Sequence, residues 1–292
     1  RGTQRWRCES CLSTVIQRNQ TVHYQRQFIW FKKWVTEGLT VKQLIEYSGH
    51  GERNIRSVIS YWLGQMPAST TFERTTACVF DGTYLDHTHG LLVMMGNGNG
   101  VVNGEYGRTE KPSELRTFFH NLSAYGLSPT SITVDGNINV YRALVQQWPT
   151  AIVQRCLVHI QRQGLMWCRR FPKRTDARKL RSLFLNVTNI INHNEKKVWL
   201  TQLASWEDRY GKRIQSSRET GWVFSDLKRA RSMLLKALPN MFHYLDHPDI
   251  PHTTNAIEGY FGRLKDRYRD HRGLSQRKRT AYFKWYLYLC PR

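Results

Sequence analysis

The 292-residue sequence predicts an α/β protein: a central mixed sheet with flanking helices, interrupted by a helical insertion and preceded by a small helical segment. Two patterns carry this reading. Through residues 77–154 short apolar runs of strand length alternate with amphipathic stretches, giving three strands, helix, strand, helix, strand. From about 157 to 247 the periodicity is almost wholly helical, and Arg and Trp are frequent. Composition bounds the function. Forty-four Lys plus Arg against 22 Asp plus Glu give a net charge of +22, while 40% hydrophobic and 12% aromatic residues argue for folded domains, about two at this length. Such an excess points to a polyanion, with nucleic acid ahead of an anionic membrane surface. No apolar run reaches the ~18 residues a membrane span needs and no signal peptide opens the sequence, so a soluble, cytoplasmic, nucleoid-associated protein is expected. Six cysteines over this length are too few to staple the fold, which suits a reducing compartment.

Residues 1–20 hold one CxxC knuckle, in Gln4-Arg5-Trp6-Arg7-Cys8-Glu9-Ser10-Cys11. A structural zinc site needs four ligands, and Cys8 and Cys11 supply two. Either a second pair lies upstream of Arg1 and the segment is part of a zinc ribbon, or these are two free thiols. Residues 21–66 read as a helix-turn-helix: Phe28, Phe31 and Val35, then Leu44 and Ile45, then Ile55, Val58, Ile59 and Trp62 recur at helical spacing, broken by Tyr47-Ser48-Gly49-His50-Gly51. Arg53, Asn54 and Arg56 open the second helix of that pair, where side chains reach base edges; an ordinary packed helix pair is the alternative. Met66-Pro67-Ala68-Ser69-Thr70 reads as a linker.

The sheet is expected over residues 72–160, with strands near 77–80, 91–95, 101–102, 131–134 and 151–154 and helices over 112–125 and 138–147. Two strand ends carry an Asp followed by Gly, in Phe80-Asp81-Gly82-Thr83 and Val134-Asp135-Gly136-Asn137. An acid at a strand's C-terminal end projects into the crevice where such sheets bind ligands, and the Gly admits close approach. A pair of ordinary turns would look the same. A third acid lies in Thr253-Thr254-Asn255-Ala256-Ile257-Glu258-Gly259-Tyr260-Phe261-Gly262-Arg263-Leu264-Lys265, where Asn255, Glu258, Gly262 and Lys265 share a helix face opposite Ile257, Phe261 and Leu264. Asp86 competes with Asp81 but does not end the apolar run, and His87 and His89 read as solvated turn residues.

Asp81-Gly82-Thr83, Val134-Asp135-Gly136, Cys156-Leu157-Val158-His159 and Thr254-Asn255-Ala256-Ile257-Glu258-Gly259-Tyr260-Phe261, in that order, resemble the motif set of the Mutator-type insertion-sequence transposases. The resemblance runs from about 75 to 285. It implies an RNase H-like catalytic core with an Asp-Asp-Glu triad at Asp81, Asp135 and Glu258, and an α-helical insertion over 161–250. Residues 251–292 would then close the core. It also implies that the CxxH marks the edge of the active site, with His159 near the triad or the scissile phosphate. The 123 residues from Asp135 to Glu258 leave room for the insertion.

Three carboxylates suit hard Mg²⁺ or Mn²⁺, and paired divalent ions stabilise the attacking and leaving oxygens of phosphodiester transfer. The expected activity is therefore metal-dependent cleavage at terminal inverted repeats and transfer of the freed 3′-hydroxyl to target DNA, by a dimer or larger assembly. Lys265, Arg267 and the basic residues after them, with Asn255, are expected to grip duplex DNA beside Glu258. Two readings remain beside this one: a nuclease that only hydrolyses, and a non-catalytic DNA-binding regulator.

Overall fold

A computed structural model describes residues 5–16, 20–68, 76–87, 89–98, 100–216 and 221–291. Gln4 of the knuckle motif, Ser69 and Thr70 of the expected linker, and Thr88 lie outside the described residues. The chain divides into two compact units, residues 1–69 with 263–291, and residues 70–262.

In the first unit β1 (Arg5–Arg7) and β2 (Thr14–Ile16) pair antiparallel. Four helices follow: α1 (Gln20–Arg26), α2 (Phe28–Thr36), α3 (Val41–Ser48) and α4 (Glu52–Leu63). Thr40 starts α3 through a reciprocal cap, its hydroxyl accepting from Gln43 N at 3.3 Å while Gln43 Oε1 accepts from Thr40 N at 2.8 Å. Gly49 ends that helix at φ 68°, a conformation that favours glycine and turns the chain toward α4. Phe31, Trp34, Val35, Leu44, Ile55 and Val58 are buried.

The C-terminal helix belongs here too, which differs from the expected grouping of residues 251–292 with the sheet. In α13 (Gln276–Leu289), Trp285 packs edge-on to Phe31 at 5.3 Å and Tyr282 to Trp34 at 5.4 Å, and the Trp285 indole donates to Trp62 O at 2.9 Å. Burial of several large aromatics outweighs proximity in sequence.

The second unit holds the sheet. Its strands are β3 (Ala77–Tyr84), β4 (Gly90–Gly96), β5 (Gly100–Tyr106), β6 (Ser131–Val134) and β7 (Ile152–Arg155), ordered β5-β4-β3-β6-β7. The β3–β4 and β4–β5 pairs are antiparallel; β3–β6 and β6–β7 are parallel. The parallel pairs need crossovers, and α5 (Pro112–Ala124) and α6 (Ile138–Gln147) supply them. Phe80, Leu92 and Met94 pack with Phe118, Phe119, Val140 and Leu144 in one core. β4 is buried along its whole length, which is why it reads as a continuous apolar run rather than an alternation.

After β7 come α7 (Leu157–Cys168), α8 (Thr175–Asn186), α9 (His193–Trp206), a π-helical turn at Glu207–Gly211, α10 (Lys212–Ser216) and α11 (Trp222–Ala237). They enclose a separate core of Ile160, Leu180, Phe184, Trp199, Trp206 and Leu234. The buried indoles of Trp199 and Trp206 donate to Leu183 O and Asp176 O at 3.0 and 2.9 Å, so neither polar end is left unpaired. Helix α7 meets α8 at Gly164, where an added Cβ would fall 2.3 Å from Cδ1 of the fully buried Phe184. Gly164→Ala is therefore expected to destabilise the protein by about 1–3 kcal/mol, read as a lower urea midpoint, because the helices must separate or Phe184 must leave its rotamer.

The chain returns from the insertion across one face of β6 and β7. Buried Gln154 donates to Met241 O at 2.8 Å and accepts from His243 N at 3.0 Å, Thr133 Oγ1 donates to Pro251 O, and Leu157 N donates to His252 O at 3.0 Å. This stitching covers the face of β6 and β7 opposite the core of Ile132, Val134 and Val153 and fixes where α12 (Asn255–Tyr268) begins.

Candidate active site

The strands bring Asp81 and Asp135 together. Asp81 does not end β3, as its apolar run suggests; the strand continues to Tyr84 against β4. Its parallel neighbour β6 pairs only with Ala77, Cys78 and Val79, so Asp81 sits just past the paired stretch. Asp135 follows the last residue of β6 directly, and its Oδ1 accepts from Asn137 N at 2.8 Å.

A fourth carboxylate, Glu110, joins them. It leans over Gly82, where a Cβ would meet Glu110 Oε1 at 2.7 Å, and it accepts from the Asn137 side-chain amide. Burial pushes the Asp81 carboxyl up to about 7; a hydrogen bond from Gly82 opposes this, and the negative charges of Asp135 and Glu110 add to it. Burial raises Glu110 as well. Arg155, at the end of β7, presses its guanidinium against Gly136, where a Cβ would lie 2.5 Å from Nη2; burial lowers its proton affinity, and the negative charges of Asp135 and Cys156 oppose that. Nothing in Arg108-Thr109-Glu110-Lys111-Pro112 marks Glu110 as more than a loop acid. The signal is Gly82, whose missing side chain makes the room.

An acid titrating near 7 in the folded chain and near 3.8 when unfolded keeps its proton in the native state between those values. Native Asp81 thus binds more protons than unfolded Asp81, and stability in EDTA should fall as pH rises from about 4 to 7. Asp81→Asn should remove up to one proton equivalent from that slope, as measured by urea denaturation across the range.

Glu258 lies in the first turn of α12, and buried Cys156 with half-buried His159 explains its placement. Thr254, fully buried, donates its backbone N–H to Cys156 Sγ at 3.3 Å, and its carbonyl accepts from Glu258 N at 3.1 Å. The Thr254 hydroxyl lies 3.3 Å from Cys156 Sγ, 3.2 Å from His159 Nδ1 and 3.3 Å from Glu258 Oε1, a shared junction for one donor proton. His159 Nε2 stands 3.8 Å from Glu258 Oε1 and Arg162 Nη2 3.5 Å from Oε2. Burial alone would raise the Cys156 thiol, but the hydrogen bonds from His159 and Thr254 prevail and lower it. The hydrogen bond to Cys156 raises His159, burial opposes, and the negative charges of Cys156, Glu258 and Asp135 add to the rise.

Asp81, Asp135, His159 and Glu258 therefore share one electrostatic neighbourhood at the open end of the sheet. Among the described residues no three His, Cys, Asp or Glu side chains are close enough to hold one ion as they stand. Their donor chemistry nevertheless fits a hard divalent cation: the carboxylates of Asp81, Asp135 and Glu110 lie close enough that the charges of the last two add to the rise burial gives Asp81.

The remaining sequence-predicted residues lie elsewhere. Asn255 is exposed at the start of α12. Lys265 and Arg267 fall in the part of α12 grouped with the first unit, where Arg267 Nη1 donates to Glu37 O at 3.3 Å. Arg53 and Arg56 are exposed on α4, Arg56 paired with Glu52 at 2.7 Å, while Asn54 is engaged at both ends of its amide, with Gln27 and His23 at 3.2 Å. Cys8 and Cys11 occupy the β1–β2 turn; hydrogen bonds, foremost from Ser10, bring the Cys8 thiol down to about 6.

A half-buried carboxylate cluster thus stands at the end of a mixed sheet in a chain of net charge +22. The family model described as Transposase, Mutator family, matches residues 97–274, more than half of the chain and including Asp135, His159 and Glu258. The chain belongs to the Mutator family of transposases, whose substrate is DNA. No curated protein matches it. No helix among the described residues is long and apolar enough to cross a membrane.

Proposed function

We propose that the protein is a DNA transposase that binds terminal inverted repeats and catalyses strand cleavage and strand transfer through Asp81, Asp135 and Glu258. The observation that supports this reading most is that the charge of Asp135 adds to the raised proton affinity of both Asp81 and Glu110 at the end of the sheet, while His159 feels the negative charges of both Asp135 and the Thr254-anchored Glu258. The strand order, three antiparallel strands followed by two parallel ones with helical crossovers, supports an RNase H-like core, with the helical block as the insertion before the glutamate. The Gly49 turn between α3 and α4 supports a helix-turn-helix reading, with Arg53 and Arg56 toward DNA. The Cys8–Cys11 knuckle supplies two of the four ligands a zinc ribbon needs.

Asp81, Asp135 and Glu258 would hold Mg²⁺ or Mn²⁺. Bound there, the ions would supply Lewis-acid stabilisation of the attacking and leaving oxygens. The chain's own residues do the rest. Asp81, raised by burial, would give up its proton where such a cation is held. His159, raised toward its cationic form, is placed to hold a phosphate oxygen beside Glu258. Arg162 and Arg155 offset the acids' mutual repulsion.

The experiment is strand joining with short terminal-repeat DNA in Mg²⁺ or Mn²⁺ against EDTA. Joined products support the transposase, cutting without joining supports a nuclease, and metal-independent binding alone supports a regulator. Two ends must be brought together, so a dimer or larger complex on DNA is part of the proposal, checked by sedimentation with end DNA.

A further inference from the structure

Two large aromatic side chains of the helical insertion stand almost fully in solvent: Phe171 is 82% exposed and Trp222 is 84% exposed. Phe171 lies in the α7–α8 loop Arg169-Arg170-Phe171-Pro172-Lys173-Arg174, which has four cations and no acid. Trp222 opens α11. The loop is tied to that helix end twice, by the Arg169–Asp226 ion pair at 2.8 Å and by Arg174 stacked 5.1 Å over the ring of Phe224. Asp226 is one turn from Trp222 and on the same helix face, so the two exposed rings occupy one end of the insertion. Arg169 holds φ 67° and ψ 164°, a region open to essentially glycine alone, and this turns the chain so that the next residues project outward. Arg170 then lies 5.3 Å from the Phe171 ring centroid.

We infer that Phe171 and Trp222 form a binding site for unpaired nucleotides of a DNA strand, bases stacking on the rings and phosphates meeting Arg170 and Lys173. Solvent-exposed rings set among cations are the chemistry of single-strand recognition, since a base exposes its π-face only when unpaired. Duplex alone needs the cations but not the rings. A protein partner would be met by a centre poor in charge, the opposite of this loop. The inference rests on the DNA-transposase reading, and extends it from duplex ends to an unpaired segment.

The test is fluorescence anisotropy of the full chain in EDTA with a labelled blunt duplex and with the same duplex carrying an unpaired tail. The wild type should bind the tailed DNA more tightly. Phe171→Ala and Trp222→Ala should each weaken tailed binding roughly 5- to 150-fold while leaving blunt-duplex binding unchanged. Trp222→Phe should retain most of the preference. Equal losses on both DNAs, no loss on either, or a change only in self-association by sedimentation would each overturn the site. Because no catalysis is involved, failure of strand joining would not mimic any of these results.

Discussion

Asp81→Asn, Asp135→Asn and Glu258→Gln should each lower strand joining by about 10³-fold or more, while binding of end DNA stays near the wild-type level. The magnitude follows from the chemistry assigned to the carboxylates. Stabilising charge on two oxygens of an in-line displacement contributes several kcal/mol, and each 1.36 kcal/mol is about tenfold in rate. Each substitution is nearly isosteric, and each removes a carboxyl that can carry negative charge without adding bulk. Folding should therefore be preserved, and Asp81→Asn should even be stabilising in EDTA above pH 4, because Asp81 is destabilised there by burial and by its neighbours. Joining assays on purified variants, with end binding measured in parallel, check both halves. Joining at the wild-type rate in any one of the three would remove that residue from the triad.

Thr254→Val and Cys156→Ala should slow joining by about 10²-fold without abolishing end binding, although neither residue is assigned to touch DNA. Glu258 owes its position to Thr254, whose hydroxyl lies among Cys156 Sγ, His159 Nδ1 and Glu258 Oε1 and whose carbonyl opens the helix that carries Glu258. A misplacement of about 1 Å in a catalytic group costs on the order of 10² in rate. Thr254→Ser keeps the hydroxyl and should recover to within a few fold of wild type. Single-turnover joining rates for the three variants provide the check; full activity in Thr254→Val would show that the junction does not orient Glu258.

The strands, their order and the two Asp-Gly sites were legible because a buried strand writes itself as an apolar run and an acid interrupting it stands out. The packing face of α12 was legible from spacing, Ile257, Phe261 and Leu264 all being buried and Glu258 lying off that face. Glu110 was not, since its meaning comes from Gly82, 28 residues earlier, and from Asn137. The Cys156–His159 pair was legible as a motif but not as a structure: two ligands cannot close a zinc site, and only the return of the chain from the insertion reveals Thr254 as the partner. Asn54 was placed correctly at a helix start, yet its amide bonds with Gln27 and His23, residues that spacing could not bring to it. Grouping the last helix with the sheet followed chain order, whereas Tyr282 and Trp285 follow the aromatic cluster of Phe31 and Trp34.

Calorimetric titration of Mn²⁺ into the protein bound to end DNA measures the convergence of the three acids most directly. Wild type should bind divalent metal stoichiometrically at a crevice that Asp81→Asn, Asp135→Asn and Glu258→Gln each weaken or empty, with DNA still bound. Undiminished Mn²⁺ binding in all three variants would contradict a shared metal site at Asp81, Asp135 and Glu258.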